Sequence, residues 1–146
     1  MYEHEYEEIV LPALLRAARK VYGGAIRTAL VKAGYDDIPK NGIFVLGAVA
    51  RSGAPLRGII QHLGMSKQAA GQLVDTLVAR GYLDREVDEQ DRRRLTITLS
   101  ERGRAAAQVS RATVERIDAA LLKHVGRERL AHTRATLLAL IDLEQR

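Results

Sequence analysis

The chain contains no cysteine and no tryptophan, and aromatic residues make up only 4% of it. Without cysteine there are no disulfides, no thiolate catalysis and no cysteine-based metal or redox sensing. That composition fits a reducing compartment. With so few aromatics, the core must be aliphatic, built from Leu, Ala, Val and Ile. No apolar run approaches the ~20 residues that a membrane-spanning helix needs. The opening MYEHEYEEIV is acidic where a secretory signal would be basic. A cytoplasmic protein with no membrane partner is expected.

Catalytic and metal-binding patterns are also missing. His4, His62, His124 and His132 are scattered, and no pair has the i, i+4 spacing with a carboxylate that a zinc helix uses. No Ser-His-Asp set or paired carboxylates emerge. The expectation is no enzyme activity, no catalytic residue, no cofactor and no metal.

What is present suits one globular domain. The chain has 146 residues, 47% of them hydrophobic, enough for one sizeable core with or without a dimerisation extension. The net charge of +5 permits a polyanionic partner without demanding one. Both signs of charge occur in every third of the chain, so the excess matters only if folding gathers it on one face.

From about Tyr6 to Ala33 the apolar positions crowd a helical period, including Ile9, Val10, Leu14, Leu15, Val21, Tyr22, Ile26 and Leu30. That stripe is wider than one face of a surface helix needs, so the helix is expected to lie between two partners. Pro12 suits a first turn or a kink, and Gly34 a C-terminal stop. Tyr35 to Gly42 reads as a loop, Ile43 to Ala50 as a short helix, and Ser52-Gly53-Ala54-Pro55 as a break. Leu56 to Leu63 reads as a second short helix. Gly64 turns the chain, Ser66 caps a third helix over Lys67 to about Arg80, and Gly81 ends it. Tyr82 to Val87 looks like a strand. Asp88 to Arg94 is a charged turn, and Leu95, Ile97 and Leu99 alternate on one face of a second strand. Ser100 caps a last helical region, which splits near Gly126.

Two short helices, a tight turn, a longer helix and a hairpin make a winged helix-turn-helix. The turn is Leu63-Gly64-Met65-Ser66, and it lets the third helix project while its other face stays in the core. At ~100° per residue, Ala70, Leu73, Val74 and Leu77 point inward, and Gln68, Gln72, Asp75 and Ala79 point outward. A glutamine amide donates and accepts at once, as the adenine edge in the major groove requires. Two glutamines on a helix alone indicate no more than a solvated face. With the turn, the cap and the hairpin beside them, base contact is the favoured reading.

The hairpin supplies the second signal. Arg92, Arg93 and Arg94 are adjacent cations that repel one another unless an anion is near, and a phosphate backbone is one. A wing tip reaches the neighbouring minor groove, whose narrow A·T tracts attract arginine. Asp91 lies two residues before Arg93, on the same side of an extended strand, in position for a bidentate pair that orients the guanidinium. The plainer reading is a solvated charged turn.

LGMSKQAAGQLVDTLVARGYLDRE followed by DRRRLTITLSERG resembles the MarR family of winged-helix transcriptional regulators. The family's wing pattern is Asp-x-Arg, a hydrophobic strand, Leu, Thr or Ser, and Gly. Asp91, Arg93, Leu99, Ser100 and Gly103 match it in register, and the organisation is similar over nearly the whole chain. The resemblance implies a mainly α fold with a small β-hairpin, a winged helix-turn-helix bracketed by N- and C-terminal dimerisation helices. It implies one domain over 1–146, with dimerisation helices over 1–34 and 104–146 and the DNA-binding region over 43–103. Ser66, Lys67, Gln68 and Gln72 then fall at major-groove or phosphate positions, and Arg93 at the minor-groove position of the wing. Gly71 departs from the family, whose members often carry Ser or Thr there. Many members bind a small, often aromatic molecule between the dimer helices and the winged helix. Tyr22, Tyr35 and Phe44 are the candidates for such a small aromatic or phenolic effector, although core packing is the plainer reading of each singly.

Dimerisation is expected from the residues too, because two broadly apolar terminal helices cannot be covered by one small domain. A two-fold pair sets its recognition helices one DNA turn, ~34 Å, apart on a pseudo-palindrome. The leading expectation is a homodimeric regulator of double-stranded DNA, a ligand-responsive repressor. The alternative is a winged-helix protein-interaction module without sequence-specific DNA binding.

Overall fold

The computed structural model describes residues 9–52, 61, 64–87, 89–91 and 95–143. Of the helix expected over Leu56 to Leu63 only Gln61, which is helical and exposed, is among them, and the arginines 92–94 lie outside them.

Pro12 fixes the chain's entry into the first helix. It has no N–H to leave unpaired, so it fits the first turn of α1, which spans Leu11–Lys32. The helix ends in a Schellman motif. Gly34 takes φ +92°, its N–H donates to the Val31 carbonyl at 3.0 Å, and the Tyr35 N–H donates to Leu30 at 2.8 Å. A loop leads to α2 (Gly42–Ser52), which buries Val45, Leu46 and Val49. Helix α3 (Lys67–Ala79) begins at Ser66, whose Oγ accepts from the Ala69 N–H at 3.1 Å. It ends as α1 does. Gly81 takes φ +80°, its N–H donates to Val78 at 3.0 Å, and that of Tyr82 donates to Leu77 at 2.9 Å.

The same motif decides where the first strand begins. Tyr82, expected as its first residue, is spent on the α3 C-terminus, so β1 runs over Leu83–Val87. It pairs antiparallel with β2 (Leu95–Leu99), from Leu83 opposite Leu99 to Val87 opposite Leu95. Period two puts Ile97 inward, where it is buried, while Thr96 faces solvent. Ser100 then caps α4 (Glu101–Val125), its Oγ accepting from the Gly103 N–H at 3.0 Å. Gly126, at φ +85°, breaks the helical run, and α5 (Arg127–Asp142) follows.

The core gathers Val45, Leu46 and Val49 of α2, Leu73, Val74 and Leu77 of α3, then Tyr82, Leu83, Ile97 and Ala106, with Leu30 of α1 at its edge. It is aliphatic apart from Tyr82, as the composition requires. Each fully buried Leu or Val contributes about 1.5–3 kcal/mol. Gly103 is what lets α4 come this close. A Cβ at that position would lie 2.0 Å from the Tyr82 carbonyl oxygen. Only a residue without one permits the contact.

The terminal helices are another matter. Helix α1 packs on α4, and α4 on α5, yet Leu30 is the only buried residue of α1 and α5 buries none. The sequence places α1 between two partners; within the described chain it packs on α4 and, through Leu30 and Arg19, meets the core and Phe44 of α2, while Val21 and Val31 stay exposed. Val21, Leu138, Ile141 and Leu143 are 60–70% exposed.

Candidate nucleic-acid interface

The turn before α3 is built as its residues dictate. Gly64 takes φ +60°, a conformation that costs other L-residues strain. Ser66 then closes the helix N-terminus through its own side chain. With Ala70, Leu73, Val74 and Leu77 buried, the opposite face is fixed by the helical period. Ser66, Lys67, Gln68, Gln72, Asp75 and Ala79 are all exposed. The four residues of α3 and its cap singled out from the sequence therefore share the N-terminal half of one solvent-facing surface. Their side chains present donors and acceptors on a rigid element.

The hairpin lies beside that surface and is tied to it. The Arg85 guanidinium of β1 donates to the Asp75 carboxylate of α3. Both side chains are largely in solvent, so the pair stabilises the fold by no more than about 1 kcal/mol. Its effect is directional: it fixes the angle between α3 and the strand that leads to the hairpin tip. It also neutralises the one acidic side chain on the outward face of α3. Asp91 is exposed. Arg92, Arg93 and Arg94 lie outside the described residues, and with them the expected pairing of Asp91 with Arg93.

A second cluster, absent from the sequence reading, holds the winged helix to α4. Tyr82 is fully buried up to its hydroxyl, which donates to Asp37 in the α1–α2 loop. Arg102 of α4 donates to the same carboxylate and to the Tyr82 hydroxyl, both at 2.9 Å. Its guanidinium stacks 4.5 Å from the Tyr82 ring centre, a cation–π contact. Arg80, just past α3, donates to the Asp37 carbonyl. Tyr35 meets the Tyr82 ring edge-on at 6.3 Å. The hydrogen bond from Tyr82, reinforced by the Arg102 and Arg80 charges, lowers the Asp37 pKa from its ordinary 3.8. Burial, together with the bond to Asp37, raises that of Tyr82 above 10.0. Partners 45 and 65 positions apart give no local signal; only the loop position of Asp37 was legible.

The three aromatic candidates for an effector site have separate surroundings. Tyr35 belongs to the cluster just described. The Tyr22 hydroxyl donates to Asp118 of α4 at 2.5 Å, and that bond, with burial, raises its pKa. Phe44 is 38% exposed, with the Arg19 guanidinium 4.6 Å from its ring centre. A cavity of about 400 Å³ opens between α4 and α5, lined by Asp118, Leu122, Arg127, Leu130 and Arg134 among others. Among the described residues no group of three or more His, Cys, Asp or Glu is placed to hold a metal ion. None of the described helices is long and apolar enough to cross a membrane.

A projecting helix with a polar outer face, flanked by a two-stranded hairpin and set between long terminal helices, defines a winged helix-turn-helix protein. A family model described as MarR family matches residues 37–94, from the Asp37 loop to Arg94. Over those residues the chain is similar to the MarR family. No curated protein matches it. Among solved structures it is similar to Streptococcus pneumoniae FabT in complex with DNA. The TM-score is 0.75 at 14% identity, covering 93% of this chain and 98% of that one. It is also similar to the S. aureus MepR–DNA complex, with a TM-score of 0.74 at 20% identity over 92% and 96% of the two chains. A third is the PcaV transcriptional regulator of Streptomyces coelicolor in complex with its natural ligand. There the TM-score is 0.67 at 20% identity, over 90% and 89%.

Proposed function

We propose that this protein is a homodimeric regulator that binds pseudo-palindromic double-stranded DNA and represses transcription until a small effector releases it. The observation that carries the reading is the outer face of α3. Lys67, Gln68 and Gln72 stand exposed on a helix whose opposite face is locked in the core, next to a hairpin held by the Asp75–Arg85 pair. FabT and MepR, two proteins of similar fold, have been solved with DNA.

In this reading Gln68 and Gln72 contact base edges in the major groove, and Ser66 and Lys67 contact phosphate or base at the helix start. Arg92, Arg93 and Arg94 carry the wing into the adjacent minor groove, with Asp91 orienting Arg93. The chain acts in the cytoplasm as one domain, with 43–103 as its DNA-binding region. Segments 1–34 and 104–146 form the dimer. The exposed Val21, Leu138, Ile141 and Leu143 support that assignment, since a second copy would cover them. PcaV, solved with its natural ligand, supports the effector role. Tyr22, Tyr35 and Phe44 are the aromatic side chains proposed to serve an aromatic or phenolic molecule, which shifts the spacing of the two recognition helices by favouring one of two conformations.

The test is fluorescence anisotropy on genomic fragments enriched by the protein, repeated across a salt series. Affinity is expected to fall by about 0.9 log units per log unit of salt for each phosphate contact. Arg93→Ala is expected to weaken binding and flatten that slope. Retention of protein partners with no retarded DNA fragment would overturn the reading in favour of an interaction module.

A further inference from the structure

Two stretches of chain join the winged helix to the long helices: residues 33–41, between α1 and α2, and Ser100, between β2 and α4. Apolar packing holds the parts together, since Ala106 of α4 shares one core with Leu46 and Leu77. Such packing sets a distance and little else, because the hydrophobic effect has no direction. Hydrogen bonds do have direction. The angle of α3 to α4 therefore falls to the polar groups at this joint.

Asp37 is placed to set it. It stands in the first of the two stretches, and its two polar groups engage different elements. The carboxylate accepts from Arg102, in the first turn of α4, at 2.9 Å, and from the Tyr82 hydroxyl. The carbonyl accepts from Arg80, which caps the α3 C-terminus. Arg102 closes the triangle by donating to the Tyr82 hydroxyl at 2.9 Å, so that hydroxyl both donates and accepts. Tyr82 is itself tied to α3, its N–H donating to the Leu77 carbonyl. The Arg102 and Asp37 side chains are 42% and 39% exposed, and a pair so open to water adds little stability. What the cluster supplies is an angle.

An angle at this end of α3 is amplified at the other. Gln68 precedes Arg80 by 12 residues. At the helical rise that is roughly 18 Å. A tilt of about 10° about the C-terminal end carries Gln68 sideways by roughly 3 Å, the length of a hydrogen bond. In a two-fold pair both helices tilt, and the gap between them changes by up to about 6 Å, nearly two base pairs.

We propose that Asp37 is a positioning residue for DNA binding: it fixes the tilt of α3 on α4, and so the half-site spacing that the dimer accepts. The inference rests on the dimeric DNA-binding reading and deepens it.

The probe is the duplex that the wild-type chain enriches from a random-sequence library. It is compared with the same duplex carrying one base pair more or one fewer between its half-sites, and with a duplex holding a single half-site. Wild type is expected to lose about tenfold in affinity when the spacing changes. Asp37→Ala is expected to lose only about twofold on that change, while binding the enriched duplex several-fold more weakly. On the single half-site the two should agree within about twofold, since the helix itself is intact. Arg102→Ala should behave as Asp37→Ala does, and the double variant no worse than either. A loss of equal size on every duplex, the single half-site included, would mean that α3 is damaged and not misaimed, and would overturn the proposal. Additive losses in the double variant would overturn it too. So would a wild-type spacing preference in Asp37→Ala, which would leave the DNA-binding reading standing. If the wild-type chain enriches no sequence, or is indifferent to spacing, the dimeric DNA-binding reading fails and takes the proposal with it.

Discussion

Replacing Gly103 by alanine adds one methyl group where there is no room for it. The new Cβ would lie 2.0 Å from the Tyr82 carbonyl oxygen, 3.0 Å from its carbon and 3.3 Å from Leu99 Cδ2. An ordinary C···O approach is no closer than about 3.3 Å, so α4 and the β1 entry must separate by roughly 1 Å. Neither side can yield alone. The Tyr82 carbonyl also accepts from the Ser100 N–H at 3.1 Å, and the Ser100 hydroxyl both donates to Gly81 at 2.5 Å and caps Gly103 at 3.0 Å. Overpacking a rigid site costs about 1–3 kcal/mol, and losing a helix cap adds about 1. The alanine's own helix preference returns up to about 1 kcal/mol. The expected net loss is about 1–4 kcal/mol, a large part of a typical domain's 5–15. Urea unfolding followed by far-ultraviolet circular dichroism, at one fixed protein concentration, measures it. A loss below about 0.5 kcal/mol would refute the close approach of α4 to Tyr82.

Three further outcomes are expected. The Asp37 cluster makes stability depend on pH at both extremes. The lowered Asp37 pKa contributes stability that is complete above 3.8 and is lost as the pH falls below it. The raised Tyr82 pKa contributes stability complete below 10.0 and lost as the pH climbs from there toward the folded value. Asp37→Asn should flatten the acid limb of a melting-temperature profile and leave the neutral plateau lower. Removing either cap, as Ser66→Ala or Ser100→Ala, should cost about 1 kcal/mol in urea unfolding, and more for Ser100, whose hydroxyl also donates to Gly81. Gln72→Ala should broaden the base preference at one position per half-site when bound sequences are selected from a random pool, by about 1–3 kcal/mol of lost discrimination.

Most of the winged helix was legible because its signals are local. The stripe Ala70, Leu73, Val74, Leu77 follows the helical period, and all four are buried. Gly34, Gly64, Gly81 and Gly126 carry the positive φ that their places at helix ends and turns require. Ser66 and Ser100 cap the helices that follow them. The polar face of α3 was readable for the same reason, since fixing the inward residues fixes the outward ones. What stayed hidden depends on separation along the chain. Nothing near Asp37 indicates that Tyr82 and Arg102 converge on it, and nothing near Asp75 indicates Arg85 ten residues on. Gly103 was visible as part of the wing pattern, but the Tyr82 carbonyl that demands it was not. That α4 is the main partner of α1 could not be read either. A stripe width gives the area to be covered and not the partner that covers it.

In the proposed dimer two copies of α3 face one DNA duplex. Hydroxyl-radical footprinting of the wild-type chain on the duplex it enriches tests this most directly. Two protected patches, centred about one helical turn, ~34 Å, apart and related by two-fold symmetry, are expected. A single unpaired patch, or cleavage unchanged from free DNA, would contradict it.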